Sequence, residues 1–380
     1  MGTSGNATMG MQRIDAAQAA AGLDHFSAVI DARSESEFAL DHLPNAQNWP
    51  TLTDAQRHAV GSDYAQVSPF DARKRGAVMA ARNIADHVER EAAALPKSWR
   101  PLVYCWRGGQ RSGALALVLG QIGFDVSVLD GGYQAFRRFV LADLEQVPLD
   151  LSLHMVCGKT GSGKTRLLQS LRAAGAQVLD LEALACHRGS VLGGLPEQPQ
   201  PGQKHFEMLL WQALRGFDRA RPVHVESESR TVGRLRVPEA LLKQMRAAPG
   251  LQLEMPIAGR VELLMQDYAH LAQDAELLCE RLQGLREARG AAVVERWQAL
   301  CRAEQMAAVV ADLLADHYDP IYLRSMARNF AQFAQMPVVD LKDGSLASMD
   351  RAAEQMLTTL PTATAPNPDL RPGSAAGQRC

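Results

Sequence analysis

The chain has 380 residues, 47% of them hydrophobic and 22% charged, with a formal net charge of −2. That is ordinary globular usage on a length that outgrows one core, so two domains are expected, and the near-neutral balance gives no global attraction for nucleic acid. No run of about 18 apolar residues is present to span a membrane, and the six cysteines show no C-x-x-C spacing, which argues against a disulfide framework or a structural zinc site.

The first ten residues are polar and lack the apolar core of a secretion signal. They belong to a disordered lead over 1–13, with Met9 and Met11 as alternative starts, and the reducing cytoplasm is the expected compartment. Ala28–Asp31 reads as a buried strand ending in an acid. Ser34 then offers an N-cap with Glu37 at the capping-box position. Residues 51–100 form a long insertion, helical from about Arg73 to Ala94 and ended by Leu95-Pro96. Leu102-Val103-Tyr104 is the next strand and delivers Cys105 to its end. A helix follows over Ser112–Ile122 with Gly123 as its stop, then a strand over Val126–Leu129. Residues 141–150 read as a linker.

A new strand, Leu153–Cys157, leads into a helix from Lys164 to about Ala174. Gln177–Asp180, Val223–Glu226 and Gln252–Met255 are further strands. Residues of about 260–330 are largely helical, with Trp297, Leu300, Val309, Leu313 and Leu314 near one face. Val338–Leu341 returns a last strand, Leu346–Leu357 a closing helix, and 361–380 a disordered tail rich in Pro, Ala, Gly and Thr. Strands alternating with helices imply mostly parallel sheets with helices on both faces. The expected domains are 14–140 and 151–360.

Two loops carry the chemistry. The first is Cys105-Trp106-Arg107-Gly108-Gly109-Gln110-Arg111. A loop of small residues entering a helix aims several N–H groups at one spot, and with Arg107 and Arg111 it lowers the pKa of a thiol placed there. The plain alternative is a buried strand-end cysteine. The second loop, Gly158-Lys159-Thr160-Gly161-Ser162-Gly163-Lys164-Thr165, satisfies G-x-x-x-x-G-K-[ST] between a strand and a helix. Its backbone suits a diphosphate, with Gly158, Gly161, Ser162 and Gly163 shaping the cradle, Lys164 adding charge and Thr165 available to Mg²⁺. The loop does not say which diphosphate. Asp180 and Glu226 end neighbouring strands where acids face the phosphates, and Arg230, Arg234 and Arg236 put cations nearby. Solvated strand ends and a solvated basic loop are the plain alternatives.

The first domain resembles the rhodanese superfamily. The matching pieces are Val29–Arg33 with Glu37-Phe38, Asp41–Ala46, the Cys105 loop, and Leu129–Gly132. Asn45 replaces the usual glycine. The loop holds five residues between Cys105 and Arg111, where typical sulfur-transferring members have four, which keeps a phosphatase among the alternatives. The order rhodanese-like domain, then P-loop domain, resembles the tRNA 2-selenouridine synthase family. His187-Arg188-Gly189-Ser190, Glu226–Arg230 and His317-Tyr318-Asp319-Pro320-Ile321-Tyr322 extend that resemblance to about residues 14–360.

The resemblance implies a transferase that converts wobble 2-thiouridine of tRNA to 2-selenouridine through S-geranyl-2-thiouridine. Geranyl diphosphate and selenophosphate are the implied substrates, and a selenophosphate-supplying enzyme the implied partner. Cys105 would carry an S-selanylcysteine intermediate, and no cofactor would be tightly bound. Two other classes remain: an ATP-dependent RNA thiolation enzyme or kinase with a rhodanese module, and a non-catalytic tRNA- or anion-binding protein.

Overall fold

A computed structural model describes residues 11–190, 192–195, 198–269 and 274–360; the expected lead up to residue 10 and the tail over 361–380 lie outside them. The chain divides into two compact units. The first comprises residues up to Asp143 together with Gly202–Gln212, and the second comprises Leu144–Pro201 and the residues from Ala213 onward.

In the first unit, the described residues form a five-stranded sheet, β1 (Met11–Ile14), β2 (Ala28–Asp31), β3 (Ala46–Asn48), β4 (Pro101–Tyr104) and β5 (Val126–Leu129), ordered β1-β5-β4-β2-β3. Every pairing is parallel. β4 and β5 are buried along their whole length, the pattern of central parallel strands covered on both faces. The helix Glu35–Leu40 starts with the expected capping box of Ser34 and Glu37. The helix Gln110–Ile122 stops at Gly123, which adopts φ 109°.

Several expectations are corrected. Met11–Ile14 is an edge strand rather than the end of a lead, because β5 supplies its hydrogen-bonding partner. The insertion holds an additional helix, Asp54–Gln66, before the longer one, Pro69–His87, which runs on as a π turn over Val88–Ala92; Thr53 and Ser68 cap their starts. The first buries none of its residues, so it carries no apolar period to read. The expected linker is structured: the helix Gly132–Leu144 enters it, and a 3₁₀ turn, Val147–Asp150, follows with Val147, Pro148 and Leu149 buried. Residues 202–212, inside the span expected for the second domain, group with the first unit. There Trp211 donates to Asp143 at 2.8 Å and packs edge-on against Phe136.

In the second unit, β6 (Leu153–Gly158), β7 (Gln177–Leu179), β8 (Val223–Glu226), β11 (Gly250–Glu254) and β12 (Val338–Asp340) form a parallel sheet ordered β12-β11-β6-β8-β7; a small hairpin, β9 (Thr231–Val232) with β10 (Leu235–Arg236), stands apart. The helices Lys164–Ala173 and Leu346–Thr359 pack on the sheet through Leu167, Leu171, Met349 and Met356. A helical extension has its own core around Leu278, Trp297, Val309 and Leu313. Leu314 is also buried, and Leu300 packs partly buried against this cluster. Both units are α/β with parallel sheets.

Candidate active sites in the two units

In the first unit Cys105 sits at the C-terminal end of β4, 3% exposed. Gly108 and Gly132 make the turn possible. At Gly108, with φ 66°, a Cβ would stand 2.7 Å from the Leu129 carbonyl oxygen. The Ser112 hydroxyl, in the first turn of the following helix, donates to Cys105 Sγ at 3.2 Å. Burial pushes the thiol up, but Ser112, backbone groups of Ser112 and Gly109, and the Arg111 charge outweigh it and hold it below a free cysteine. Arg111 is itself fixed by Glu37, at 2.6 and 3.3 Å. Arg107 is exposed and donates to Gln134 at 3.2 Å, so Arg111 is the cation acting on the sulfur.

A buried polar frame supports this loop. Arg33, 1% exposed, pairs with Asp31 at 2.6 Å and lies 4.2 Å from the Tyr133 ring centroid. The Tyr133 hydroxyl donates to Asp41 at 2.5 Å. His205, from the segment 202–212, meets the other Asp41 oxygen at 3.3 Å. The neighbouring Glu207 pairs with Arg137.

In the second unit the phosphate loop spans the gap between β6 and the helix Lys164–Ala173. Gly161 and Gly163 take φ of 77° and 87°, which favours glycine at both. Lys164 Nζ donates to the Gly158 carbonyl at 3.0 Å, and Thr165 Oγ1 to Glu182 at 3.1 Å. The His317–Tyr322 stretch braces the loop from outside. Asp319 pairs with Arg260 at 2.8 and 2.5 Å, and Arg260 donates to the Thr160 carbonyl at 2.9 Å. Tyr322 Oη accepts the Gly158 N–H at 2.7 Å. His317 is buried and accepts from Arg289 at 2.9 Å, a structural contact.

The loop opens on a cavity of about 980 Å³ whose lining includes Lys164, Thr165, Asp180, Glu182, Glu228 and Arg230. Asp180 caps the short helix Leu181–Leu184 through the Ala183 N–H at 2.8 Å. Arg230 stands at the rim, exposed and 3.3 Å from Glu239. His187, Arg188 and Ser190 also line the cavity, with Arg188 over the Tyr268 ring at 5.0 Å.

Glu226 is the exception among the expected acids. It is 2% exposed and accepts the Glu182 N–H at 3.0 Å, while Oε2 has no hydrogen-bond partner among the described residues. Burial and then the surrounding carboxylates push its pKa well above the usual carboxylate range. Asp180, Glu182 and Glu228 line the cavity, and Glu182 and Glu228 have raised pKa. Glu182 was not singled out from sequence; its signal is its place in the first turn of the helix after Asp180.

Thr165 offers an oxygen ligand beside a carboxylate, which fits a hard cation that takes most of its ligands from phosphate and water. No group of three or more His, Cys, Asp or Glu among the described residues has the arrangement to hold a metal by itself. No helix among them is long and apolar enough to cross a membrane.

Two family models match the chain in succession. Residues 15–139 match the family model of the rhodanese-like domain, and residues 151–289 that of the tRNA 2-selenouridine synthase AAA domain. A tRNA 2-selenouridine synthase of Alcanivorax borkumensis is 31% identical over 332 residues, covering 79% of this chain and 90% of that relative. One of Nitrosomonas europaea is 34% identical over 244 residues, and the match spans 63% of each chain. Among solved structures, a rhodanese-related protein from Thermoplasma volcanium aligns at 18% identity over 34% of this chain and 92% of its own, with a TM-score of 0.23. Two complete loops, each in its own parallel-sheet unit, and relatives alike over most of their length lead to one assignment: the chain belongs to the tRNA 2-selenouridine synthase family.

Proposed function

We propose that this chain exchanges sulfur for selenium at C2 of wobble 2-thiouridine in tRNA, in two steps that use its two loops separately. The observation that carries the reading is the pairing in one chain of a thiol held below its ordinary pKa and a phosphate loop opening on a large cavity. In the first step the thiocarbonyl sulfur attacks the allylic carbon of geranyl diphosphate. A C–S bond forms, the C–O bond breaks, and diphosphate leaves. Lys164 and the N–H groups of Gly161 to Thr165 stabilise the departing charge. Thr165 is the residue that would hold Mg²⁺, which supplies further positive charge when bound.

In the second step the alkylated C2 is electrophilic and its sulfur leaves as geranyl thiol. Selenophosphate carries selenium at the selenide level, so its selenium attacks C2 directly: a C–Se bond forms as the C–S bond breaks, and water then cleaves the Se–P bond and releases phosphate, with no change of oxidation state. Cys105, at the head of the anion-binding loop, is the residue that would position the donor for that attack. Arg111 and the Gly108-Gly109 turn would seat the donor's phosphate.

The division of labour is testable with two variants and tRNA nucleoside mass spectrometry. Cys105→Ala accumulates S-geranyl-2-thiouridine without selenium, and Lys164→Ala forms neither product. Loss of both products in a folded Cys105→Ala protein refutes the separation. ATP turnover at the second loop, with no binding of geranyl diphosphate, would favour a kinase or ATP-dependent thiolation enzyme instead.

A further inference from the structure

Beside the phosphate loop a second, smaller void of about 60 Å³ adjoins the large cavity through shared lining residues. The two share Thr160, which belongs to the loop, with Ser190, Leu264, Tyr268 and Tyr318. Beyond that mouth the walls are hydrocarbon and thioether, including Met265, Leu278, Met306, Val310 and Leu313. Leu278, Met306 and Leu313 belong to the core of the helical extension, so this side is packed into the fold. Met306 and Val310 lie four residues apart on the helix Met306–Asp312 and therefore present one face.

Such a lining discriminates by polarity. A nucleobase pushed into it would leave its ring donors and acceptors without partners, at a cost in affinity. A hydrocarbon leaves nothing unpaired. Size discriminates further. A water-sized group needs roughly 10–15 Å³ on this measure, so the void takes about four to six chain atoms, one branched five-carbon unit. A tail one unit longer would meet Leu278, Met306 and Leu313.

We propose that this slot seats the far five-carbon unit of an allylic diphosphate, and that Met306 and Val310 set the chain length accepted. The inference rests on the function proposed above and adds to it the place of the tail and the residues that measure it. The first five-carbon unit then stays in the wide cavity. There its C1 is open to an attacking sulfur while the diphosphate occupies the loop.

Isothermal titration of the full chain with dimethylallyl (C5), geranyl (C10) and farnesyl (C15) diphosphates, and with inorganic pyrophosphate, tests this. Burying five more carbons predicts C10 binding at least about tenfold tighter than C5, with C15 no tighter than C10. Val310→Phe brings C10 down to the C5 level and leaves pyrophosphate unchanged; Met306→Ala improves C15 relative to C10. Affinity independent of tail length, or a tail preference that neither variant moves, overturns the slot assignment, even if S-geranyl-tRNA is still made. Displacement of pyrophosphate by ATP but by no allylic diphosphate overturns both the slot and the function on which it rests.

Discussion

If the second site holds a diphosphate as proposed, Glu228 is expected to set the pH range over which it does so. Its carboxyl is pushed up to about 8, first by burial and then by the neighbouring Glu182, with Lys164 pulling the other way. With a carboxyl pKa near 8 the group is mostly uncharged at neutral pH, so its own charge does not compete with a diphosphate for Lys164. Above that pKa an ionised Glu228 repels the ligand. If only the protonated form accepts the ligand, the competent fraction falls from about 0.9 at pH 7 to about 0.1 at pH 9, a loss of about tenfold or about 1.4 kcal/mol. The perturbation is Glu228→Gln, which keeps the shape and removes the titration. The assay is calorimetric pyrophosphate binding in EDTA, at fixed ionic strength, for both proteins across that range. Taking the ratio of their dissociation constants cancels the ionisation of pyrophosphate itself. The ratio of wild type to variant rises about tenfold from pH 7 to pH 9. A flat ratio refutes the argument.

Ser112→Ala removes the hydroxyl 3.2 Å from Cys105 Sγ. Loss of a hydrogen bond to a thiolate slows alkylation of Cys105 by iodoacetamide at neutral pH by on the order of tenfold, read by mass spectrometry of the labelled peptide. Gly161→Ala puts a Cβ at φ 77°, 2.9 Å from Leu264. It costs about 1–2 kcal/mol in thermal unfolding and weakens pyrophosphate binding. His154 and His224 face each other on β6 and β8 with ring centroids 5.3 Å apart, and their ring nitrogens have no hydrogen-bond partner among the described residues. Burial lowers each to about 4 from an ordinary value of 6.5. A folded pKa below the unfolded one means that the stability is complete above about 6.5 and falls as pH drops towards 4, by up to about 3 kcal/mol per histidine. Replacing both with leucine flattens the change in urea midpoint between pH 7 and 4.5.

The parts legible in the sequence are those whose cause is local. Ser34 and Glu37 cap a helix by contacts three residues apart, Gly123 ends one by its positive φ, and the phosphate loop is written in consecutive residues. The rest depends on partners distant in the chain. Met11–Ile14 is mostly exposed and becomes a strand only by pairing with β5. The helix Asp54–Gln66 hides because none of its residues is buried. The segment 202–212 joins the first unit through His205, Glu207 and Trp211, whose partners lie 164, 70 and 68 residues away. At the second site the strand-end rule pointed to Glu226, but burial turned that residue inward and left Glu182 and Glu228 lining the cavity with Asp180. The role of His317–Tyr322 was equally hidden: Asp319 and Tyr322 act on loop atoms through Arg260 and the Gly158 N–H.

The most direct measurement is mass spectrometry of nucleosides from 2-thiouridine-containing tRNA, incubated with the purified chain, geranyl diphosphate and selenophosphate. The account predicts transient S-geranyl-2-thiouridine followed by 2-selenouridine, both dependent on geranyl diphosphate. A protein with Cys105 and Lys164 intact that leaves 2-thiouridine unchanged, or that inserts selenium with no need of geranyl diphosphate, contradicts it.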